Sequence, residues 1–546
     1  MKANEKNTTG EDIFSKLNSF FEKNENTVFY VTLGLSVLFS LLLFNLRISE
    51  GGDDSTYIIR AYDLIKEGKY PSFQGPLYPI FLSLIVTVSG IKIGLMKLFS
   101  LFFMIIFFML FHEAFRRRIE SVVLYPALLL LSVNSYLLYF SSQTYAEAMF
   151  LAILGWFFVL FFRYLDPDDK RFKDTKALAL IALSGLILVL TKTIGGGVVI
   201  AAALFFVLNR DYKKAGMFLL FFFVFMGVWM IFKGMIWGFD AGSASSQATT
   251  LIYKHPYDFS QGKETFSGYL GRIVDNSNLY LSKNFLKMLG FRNPVSLSHE
   301  SIYTVAFYLL FIFTFLAVYK KNRYMYFTGI FLITLLGITF VSLQKIWDQF
   351  RLIIPFFPFM VLFLFKGIIE LFRSKHLEKL KFLVPVFISL TILFSAGRSI
   401  QKMDLMTLRS NIKGNKFKGY TDDWANYLKM AEFVGKNLGE DTFVACRKPN
   451  MARLYSGGKK FYGIYRFNTK NPDSLLKRLE DKHVTHIIMA SLRKNPMVNN
   501  GMTINTVKRY MSHIVKKYPR TFILQHKIGA SEPAWLFKID YSKKLK

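Results

Sequence analysis

Two adjacent carboxylates, Asp53 and Asp54, follow the first long apolar segment of the chain. They lie in the polar run Gly51-Gly52-Asp53-Asp54-Ser55-Thr56-Tyr57. A carboxylate at the mouth of an apolar helix bundle is costly unless water, a cation or a substrate solvates it. Such a group could accept the proton of a hydroxyl that attacks an electrophile, so Asp53, with Asp54 as its neighbour, is a candidate general base. The open alternative is that one of them only caps an amphipathic helix over residues 55–67.

A second acid and three cations could act together with this pair. Glu147 opens an apolar helix in the run Gln143-Thr144-Tyr145-Ala146-Glu147, where a first-turn carboxylate is also favourable for the helix dipole. Lys192, Lys345 and Arg351 stand at the ends of other apolar segments, where snorkelling to lipid head groups is the usual role. Acids and cations on one face would suit transfer from a phosphate leaving group, because the carboxylate activates the acceptor and the cations stabilise the departing phosphate.

The elements that must position these residues are apolar helices. The chain has 546 residues, of which 52% are hydrophobic and 59 are Phe, and the apolar residues form runs that read as a polytopic membrane protein. We expect about eleven transmembrane helices, near 28–47, 94–115, 121–140, 146–165, 176–193, 194–209, 215–237, 302–319, 324–343, 352–372 and 380–397. The shorter run 77–90, flanked by Pro76 and Pro79, predicts an interfacial or re-entrant segment.

Basic residues in short loops give the predicted orientation. With a cytoplasmic N-terminus, every basic short loop falls on the cytoplasmic side, as the positive-inside rule requires. The opposite side then receives the first outer loop 48–93, the turn at Glu147, the long outer loop 238–301 and everything after 398. This arrangement needs an odd number of helices, so 176–209 must form two helices. We therefore expect a protein of the cell (inner or plasma) membrane.

The domain organisation follows from composition. Residues 1–27 are a polar, Lys-rich cytoplasmic tail before a retained signal anchor, 28–397 form the transmembrane catalytic domain, and 398–419 form a polar linker. Residues 420–546 alternate helix-like and strand-like segments and predict a soluble extracytoplasmic α/β domain. Its expected helices are 422–437, 472–481 and 504–517, and its expected strands are 442–445, 485–489, 521–525 and 534–539.

Several function classes are disfavoured by the sequence. No Walker-type phosphate loop, no dinucleotide-type glycine fingerprint and no His/Cys cluster at zinc spacing is present, which argues against ATP-driven transport within this chain. The net charge of +32 reflects helix orientation and anionic lipid head groups rather than nucleic acid. One cysteine, Cys446, excludes an internal disulfide.

These motifs, taken together, resemble a known family. Asp53-Asp54-Ser55-Thr56-Tyr57, then Gly68 and Gly75-Pro76-Leu77-Tyr78-Pro79, is similar to the first outer loop of GT-C glycosyltransferases of the protein O-mannosyltransferase and lipid A aminoarabinose transferase types. Glu147, Leu190-Thr191-Lys192 and Arg351-Leu352-Ile353-Ile354-Pro355 resemble later elements of the same family, in the same order. The chain departs from the pattern at Asp54, where Glu is common, and at Gly75, where the aminoarabinose enzymes carry Lys.

The resemblance implies inverting transfer of a sugar from a polyprenyl-phosphate donor to an extracytoplasmic lipid, glycan or protein. It implies Asp53, Asp54 and Glu147 as catalytic acids, and Lys192, Lys345 and Arg351 as ligands of the donor phosphate. Tyr57, Gln74, Pro76 and Tyr78 would form the substrate loop, and Asp53 with Glu147 could hold a divalent cation. No other cofactor is expected. A secondary transporter or lipid flippase, or a binding protein on the same scaffold, stays open as an alternative.

Overall fold

The apolar runs of the first 400 residues form helices, because they are rich in Leu, Ile and Phe and lack interior helix breakers over most of their length. The computed structural model describes residues 12–72, 74–241, 251–256, 261–292, 300–344, 346–374, 376–494 and 501–542. Contacts divide the chain into two compact units. The membrane unit comprises Met1–Phe44, Tyr70–Ile80 and Lys97–Met403, and the composite unit comprises Asn45–Lys69, Phe81–Met96 and Asp404–Lys546.

The described residues up to 412 contain eighteen α-helices. In chain order they are α1 (Ile13–Lys23), α2 (Glu25–Leu42), α3 (Asp53–Glu67), α4 (Leu77–Ser89), α5 (Ile93–Phe115), α6 (Ser121–Ser132), α7 (Ser135–Leu138), α8 (Glu147–Leu165), α9 (Thr175–Thr191), α10 (Gly195–Leu208), α11 (Tyr212–Trp237), α12 (Phe266–Ser277), α13 (Leu286–Leu289), α14 (Ser301–Val318), α15 (Arg323–Ser342), α16 (Phe357–Phe372), α17 (Leu383–Gln401) and α18 (Leu405–Ile412). A π-helical stretch, Asn278–Phe285, joins α12 to α13, and short 3-10 turns occur at Tyr139–Ser142, Lys170–Phe172, Phe350–Ile353 and Glu378–Leu380.

Seven helices within the described residues are long and apolar enough to cross a membrane, and a pair bent by 54°, Ser121–Ser132 with Ser135–Ser142, raises the number to eight. The seven are Glu25–Leu42, Ile93–Phe115, Glu147–Leu165, Tyr212–Trp237, Ser301–Val318, Arg323–Ser342 and Leu383–Ile412. Each of the eleven predicted segments is helical. The multi-pass helical fold is therefore confirmed, and the number of spans stays a prediction because α9, α10 and α16 are shorter.

The predicted division of 176–209 into two helices is confirmed. Thr191 ends α9, Lys192 has an extended backbone with φ −149° and ψ 139°, and α10 begins at Gly195. A side chain at 195 would place its Cβ 2.5 Å from the carbonyl carbon of Leu188. The first glycine of the Gly195-Gly196-Gly197 run is thus explained by the close approach of α10 to the end of α9.

The C-terminal part of the composite unit is an α/β domain, as predicted. It contains α19 (Asp422–Asn437), β1 (Val444–Cys446), α20 (Pro449–Tyr455), β2 (Phe461–Gly463), α21 (Pro472–Asp481), β3 (His486–Met489), β4 (Leu492–Arg493), β5 (Thr503–Ile504), α22 (Thr506–Lys517), β6 (Phe522–Ile528) and β7 (Ala534–Ile539). Five strands form a sheet of order β2-β1-β3-β7-β6, in which β1, β2 and β3 are parallel and β7 is antiparallel to both β3 and β6. The strands β4 and β5 form a separate antiparallel pair.

The core of this domain holds the sheet against two amphipathic helices. Leu475, Leu476 and Leu479 of α21 and Met511 and Ile514 of α22 are buried in one cluster with the strands. Burial of each such side chain contributes about 1.5–3 kcal/mol, which is why these short helices form despite their many exposed lysines. The predicted helices and strands are present, whereas α20, β2, β4 and β5 were not predicted, and the last predicted helix begins at Thr506 rather than at 504. The segment 398–419, predicted as a linker, contains the end of α17 and all of α18.

Residues 48–69 and 81–93 of the first predicted outer loop share the composite unit with the α/β domain, whereas residues 70–80 belong to the membrane unit. Asp63 of α3 pairs with Arg453 of α20 at 2.8 Å, and Thr56 accepts a hydrogen bond of 2.9 Å from Asn450. The Tyr420 hydroxyl donates to the carbonyl of Ile48 at 2.6 Å. The segment that carries Asp53 is therefore anchored to residues more than 350 positions further along the chain.

Candidate active site

A buried carboxylate lies between two cations in the membrane unit. Glu147, the first residue of α8, is 1% exposed, and the Lys192 ammonium donates a hydrogen bond of 2.9 Å to its Oε1. Arg351 Nε lies 3.1 Å from the same oxygen, and the guanidinium stands 4.9 Å from the centre of the Tyr145 ring. The structure thus brings together three of the residues that the sequence singled out.

Three separate segments deliver these side chains. Glu147 occupies the first turn of α8, Lys192 lies in the extended link between α9 and α10, and Arg351 lies in the 3-10 turn Phe350–Ile353. The Gly195 N–H donates to the Lys192 carbonyl at 2.9 Å, which closes the link into a tight turn. The convergence of three segments with different secondary structure fixes the cluster more firmly than pairing along a single helix would.

Two cations share one carboxylate oxygen in this cluster. Lys192 and Arg351 carry two positive charges against the single negative charge of Glu147. The second oxygen of Glu147, Oε2, is buried and accepts no hydrogen bond from any residue that the structure describes. Arg and Lys are the side chains best suited to a phosphate, so a site that holds both on one carboxylate oxygen is a candidate anion site.

The residues that precede α4 pack on the backbone that carries Lys192. A Cβ at Gly75 would lie 2.4 Å from the carbonyl oxygen of Leu190 and 2.6 Å from that of Thr191, so any side chain at 75 would push this backbone away. Pro76 and Tyr78 are buried, Gln74 is partly buried, and the Tyr78 hydroxyl is 3.3 Å from that of Ser100. These three members of the predicted substrate loop therefore belong to the membrane unit, and their contact with a substrate stays a prediction.

The paired aspartates lie in the composite unit and have different environments. Gly52 takes a left-handed conformation with φ +85° and caps α3, which begins at Asp53. Asp54 is fully buried, and its two oxygens accept the backbone N–H groups of Ser49 at 2.6 Å and Ser55 at 2.8 Å. Asp53 is partly exposed. Asp53 is therefore the more exposed of the two carboxylates, whereas Asp54 holds the turn at the start of α3. Their catalytic roles stay predictions.

Tyr57, the fourth member of the predicted substrate loop, is buried on the same helix. It belongs to the composite unit, whereas Gln74, Pro76 and Tyr78 belong to the membrane unit. Lys345 lies outside the described residues, so its predicted role in phosphate binding stays a prediction.

A divalent cation does not fit the surroundings of Glu147. Two cationic groups already lie within 3.1 Å of its Oε1, and a third positive charge there would be repelled. Within the described ranges, no group of three or more His, Cys, Asp or Glu residues could hold a metal ion. Asp53 and Glu147 belong to different units, so joint metal binding by this pair stays a prediction, and no step of the chemistry below uses it.

Two residues that contact the predicted site residues were not identified from the sequence. Tyr145 supplies the ring beside Arg351, and its place two residues before Glu147 is the only local signal for it. Lys448 donates hydrogen bonds to the loop that leads to Asp53, across nearly 400 residues of sequence. No local pattern marks such a long-range contact.

The geometry can be compared with known proteins. No family model and no curated protein sequence matches this chain. Among solved structures, ArnT from Cupriavidus metallidurans bound to undecaprenyl phosphate is similar at 8% identity, with a TM-score of 0.52 over 94% of this chain and 98% of that chain. Its apo state gives the same TM-score and coverage at 9% identity. This chain has the GT-C fold.

A second similar structure supports the same fold. The archaeal oligosaccharyltransferase AglB from Archaeoglobus fulgidus, in complex with an inhibitory peptide and a dolichol-phosphate, has 12% identity and a TM-score of 0.52 over 86% of this chain and 70% of that one. The GT-C fold expected from the loop motifs, with its helical membrane part and its α/β domain, is confirmed.

Proposed function

We propose that this protein is a membrane glycosyltransferase that transfers a sugar from a polyprenyl-phosphate donor to an acceptor outside the cytoplasm. The observation that carries the proposal is the buried Glu147–Lys192–Arg351 cluster, which holds two cations on one carboxylate oxygen, set in the GT-C fold. Two solved structures of this fold are described with undecaprenyl phosphate and with a dolichol-phosphate. The lysine and arginine of the cluster are the side chains best suited to the phosphate of such a lipid.

In the proposed reaction the donor phosphate binds to Lys192 and Arg351. Glu147 is a positioning residue, because it holds both cations at one oxygen and so fixes where the phosphate oxygens must lie. Preorganised cations stabilise the negative charge that grows on the phosphate as it leaves, and they need no reorganisation during the reaction.

Asp53 is the proposed general base. It takes the proton of an acceptor hydroxyl while that oxygen attacks the anomeric carbon from the face opposite the phosphate. The new carbon–oxygen bond forms as the bond to the phosphate oxygen breaks, and the electron pair of the broken bond leaves with the polyprenyl phosphate. One displacement inverts the anomeric configuration. Should the acceptor be a phosphate, the nucleophile is already ionised and the demand on Asp53 is smaller.

The proposed topology follows from the distribution of basic residues. With the N-terminus in the cytoplasm, Glu147, Lys192 and Arg351 reach the opposite surface, where the α/β domain also lies. Donor and acceptor then meet outside the cytoplasm, in the plasma or inner membrane.

The test is to replace Asp53 by Asn in the full-length chain. Removal of a positioned general base typically lowers the rate about 10²- to 10⁴-fold, so transfer should be lost while membrane insertion and thermal stability persist. Envelope glycans and lipids of cells with and without the protein are compared by mass spectrometry, and the molecule that loses one sugar identifies the acceptor. Purified protein in nanodiscs is then given the polyprenyl-phosphate-sugar fraction from those cells.

Two results would contradict the proposal. One is turnover of Asp53→Asn within tenfold of the unmodified protein. The other is uptake of a solute into proteoliposomes without any covalent product, which would favour the transporter interpretation instead.

A further inference from the structure

A lysine of the α/β domain forms hydrogen bonds with the loop that leads to Asp53, the candidate base. Lys448 lies between β1 and α20, and its ammonium donates hydrogen bonds to the carbonyls of Glu50 at 3.0 Å and Gly51 at 2.8 Å. These two residues and Gly52 directly precede Asp53. One lysine of the α/β domain thus holds two successive peptide groups of the turn that begins α3.

The backbone of Lys448 is itself held by two hydrogen bonds. Its backbone N–H donates to the Tyr427 hydroxyl, and that hydroxyl donates back to the Lys448 carbonyl, both at 3.1 Å. The ammonium also stands 5.7 Å from the Trp424 ring of α19. The backbone of Lys448 is bonded to Tyr427, and its ammonium is bonded to the loop. A shift of the domain would therefore also shift the loop.

The turn fits closely around the ammonium. Gly52 has φ +85°, and a Cβ added there would lie 3.2 Å from Lys448 Nζ. A left-handed glycine lets the loop approach the lysine, so the carbonyls of Glu50 and Gly51 can both point at it. The Glu50, Asp53 and Asp54 carboxylates add a favourable field for the ammonium.

Further contacts join α3 to the same domain at its far end. Glu67, the last residue of α3, pairs with Lys460 at 2.8 Å. A helix of 15 residues places this pair about 20 Å from Asp53. Lys460→Met is therefore a matched control, since it removes a lysine contact to the same helix without touching the turn at Asp53.

We propose that Lys448 is a positioning residue for Asp53, through which the α/β domain sets the place of the catalytic base. The inference rests on the proposed function. It assigns to the domain a direct part in catalysis, because a displacement of a reacting group by about 1 Å can cost about 10²-fold in rate.

The kinetic test compares Lys448→Met, Lys448→Arg and Lys460→Met in nanodiscs. The substrate is the polyprenyl-phosphate-sugar fraction used above, and the readout is free polyprenyl phosphate measured by mass spectrometry. Lys448→Met should lower kcat about 10- to 100-fold and leave KM for the donor within about threefold. Lys448→Arg should recover most of kcat, and Lys460→Met should stay within about twofold of the unmodified protein.

Hydrogen exchange gives a readout that does not need activity. In Lys448→Met, amides of residues 49–56 should exchange faster, whereas in Lys460→Met the change should fall at residues 63–69. Unchanged exchange in 49–56, or a kcat for Lys448→Met equal to that of Lys460→Met, would overturn the inference. If the inference about Lys448 fails in this way but Asp53→Asn is inactive in the same assay, the proposed function still holds. An active Asp53→Asn would instead remove the proposed function, and the exchange measurement would still decide whether Lys448 orders the loop.

The pH profile adds a signature that a purely structural lysine would not give. Burial, with a smaller contribution from Arg447, lowers the pKa of Lys448 to about 8 against the opposing effect of Asp53, Asp54 and Glu50. The ammonium therefore loses its proton as the pH rises through 8, and kcat should fall there. The facing Tyr427 and Cys446 stay neutral in this range, since burial raises the pKa of both. Lys448→Arg stays charged, so this alkaline limb should disappear, and a limb that persists in Lys448→Arg would contradict the assignment.

Discussion

Two groups of acids and cations in the described part of the membrane unit differ in their composition and in their exposure. At Glu120 and Glu370, the Lys366 ammonium lies 2.7 and 2.6 Å from the two carboxylates, and Arg373 lies 2.7 and 3.0 Å from the same pair. Two acids thus meet two cations. At Glu147, one acid meets Lys192 and Arg351.

The carboxylates of the two groups also differ in solvent exposure. The Glu120 side chain keeps 32% of its surface exposed, whereas that of Glu147 keeps 1%. Ion pairs in a partly hydrated network contribute little to stability one by one. Removal of one partner from a buried group of charges is far more costly. The comparison therefore separates a partly hydrated network from a buried one, and only the buried one is proposed here as a phosphate site.

The largest expected difference concerns the acids. Glu147→Gln leaves two cations without their shared carboxylate in a buried site, and loss of one partner of a buried pair costs about 3–5 kcal/mol. We expect transfer to fall by about 100-fold or more, with a clearly lower Tm. Glu120→Gln leaves Glu370 to pair with both cations, so its cost should be about 1 kcal/mol or less. Thermal unfolding in detergent and the transfer assay measure both variants, and equal losses would remove the distinction.

The next effect concerns the cations and their ligand. Arg351→Met should weaken binding of undecaprenyl phosphate about 10- to 100-fold, because a hydrogen bond to a charged group contributes about 1.5–3 kcal/mol. Arg373→Met should leave this affinity unchanged. Native mass spectrometry of nanodiscs with titrated undecaprenyl phosphate gives both values. Similar affinities for the two variants would contradict binding of the lipid phosphate at Arg351.

The smallest effect concerns the backbone under Lys192. Gly75→Ala forces a methyl group against the carbonyls of Leu190 and Thr191, and overpacking of this kind costs about 1–3 kcal/mol. We expect a lower Tm and a several-fold loss of transfer as Lys192 shifts from Glu147.

Gly196→Ala is the matched control for this change. No atom lies within 4 Å of the added methyl group, and alanine favours the helix, so Tm should stay equal or rise slightly. If Gly75→Ala and Gly196→Ala have the same Tm and the same transfer rate, the close contact of Gly75 with the backbone before Lys192 has no effect on stability or activity.

The sequence predicted the parts of this molecule that depend on local patterns. Apolar runs predicted the helices, and the alternation of amphipathic and β-branched segments predicted α19, α21 and α22 with their strands. Glu147, Lys192 and Arg351 were expected on one face, and the structure brings them together. The short helix α20 was missed, although Pro449 at its first position is a typical helix start. The strand β2 has three residues, too few for a periodic signal.

Long-range contacts were beyond the reach of sequence patterns. Asp54 looked equivalent to Asp53 in the sequence, and only its bonds to the backbone of Ser49 and Ser55 separate their roles. Lys448 is one of 69 basic residues, and nothing in its neighbourhood distinguishes it. Its partners lie 397 and 398 positions earlier in the chain.

That separation has a consequence for biosynthesis. The turn at Asp53 leaves the ribosome early, but the lysine that holds it and Tyr420, which holds Ile48, are made only after the last apolar helix. A nascent chain can therefore insert its helices while the turn is still unsupported. Both hydrogen bonds from the Lys448 ammonium to the turn can form only after residue 448 has been made.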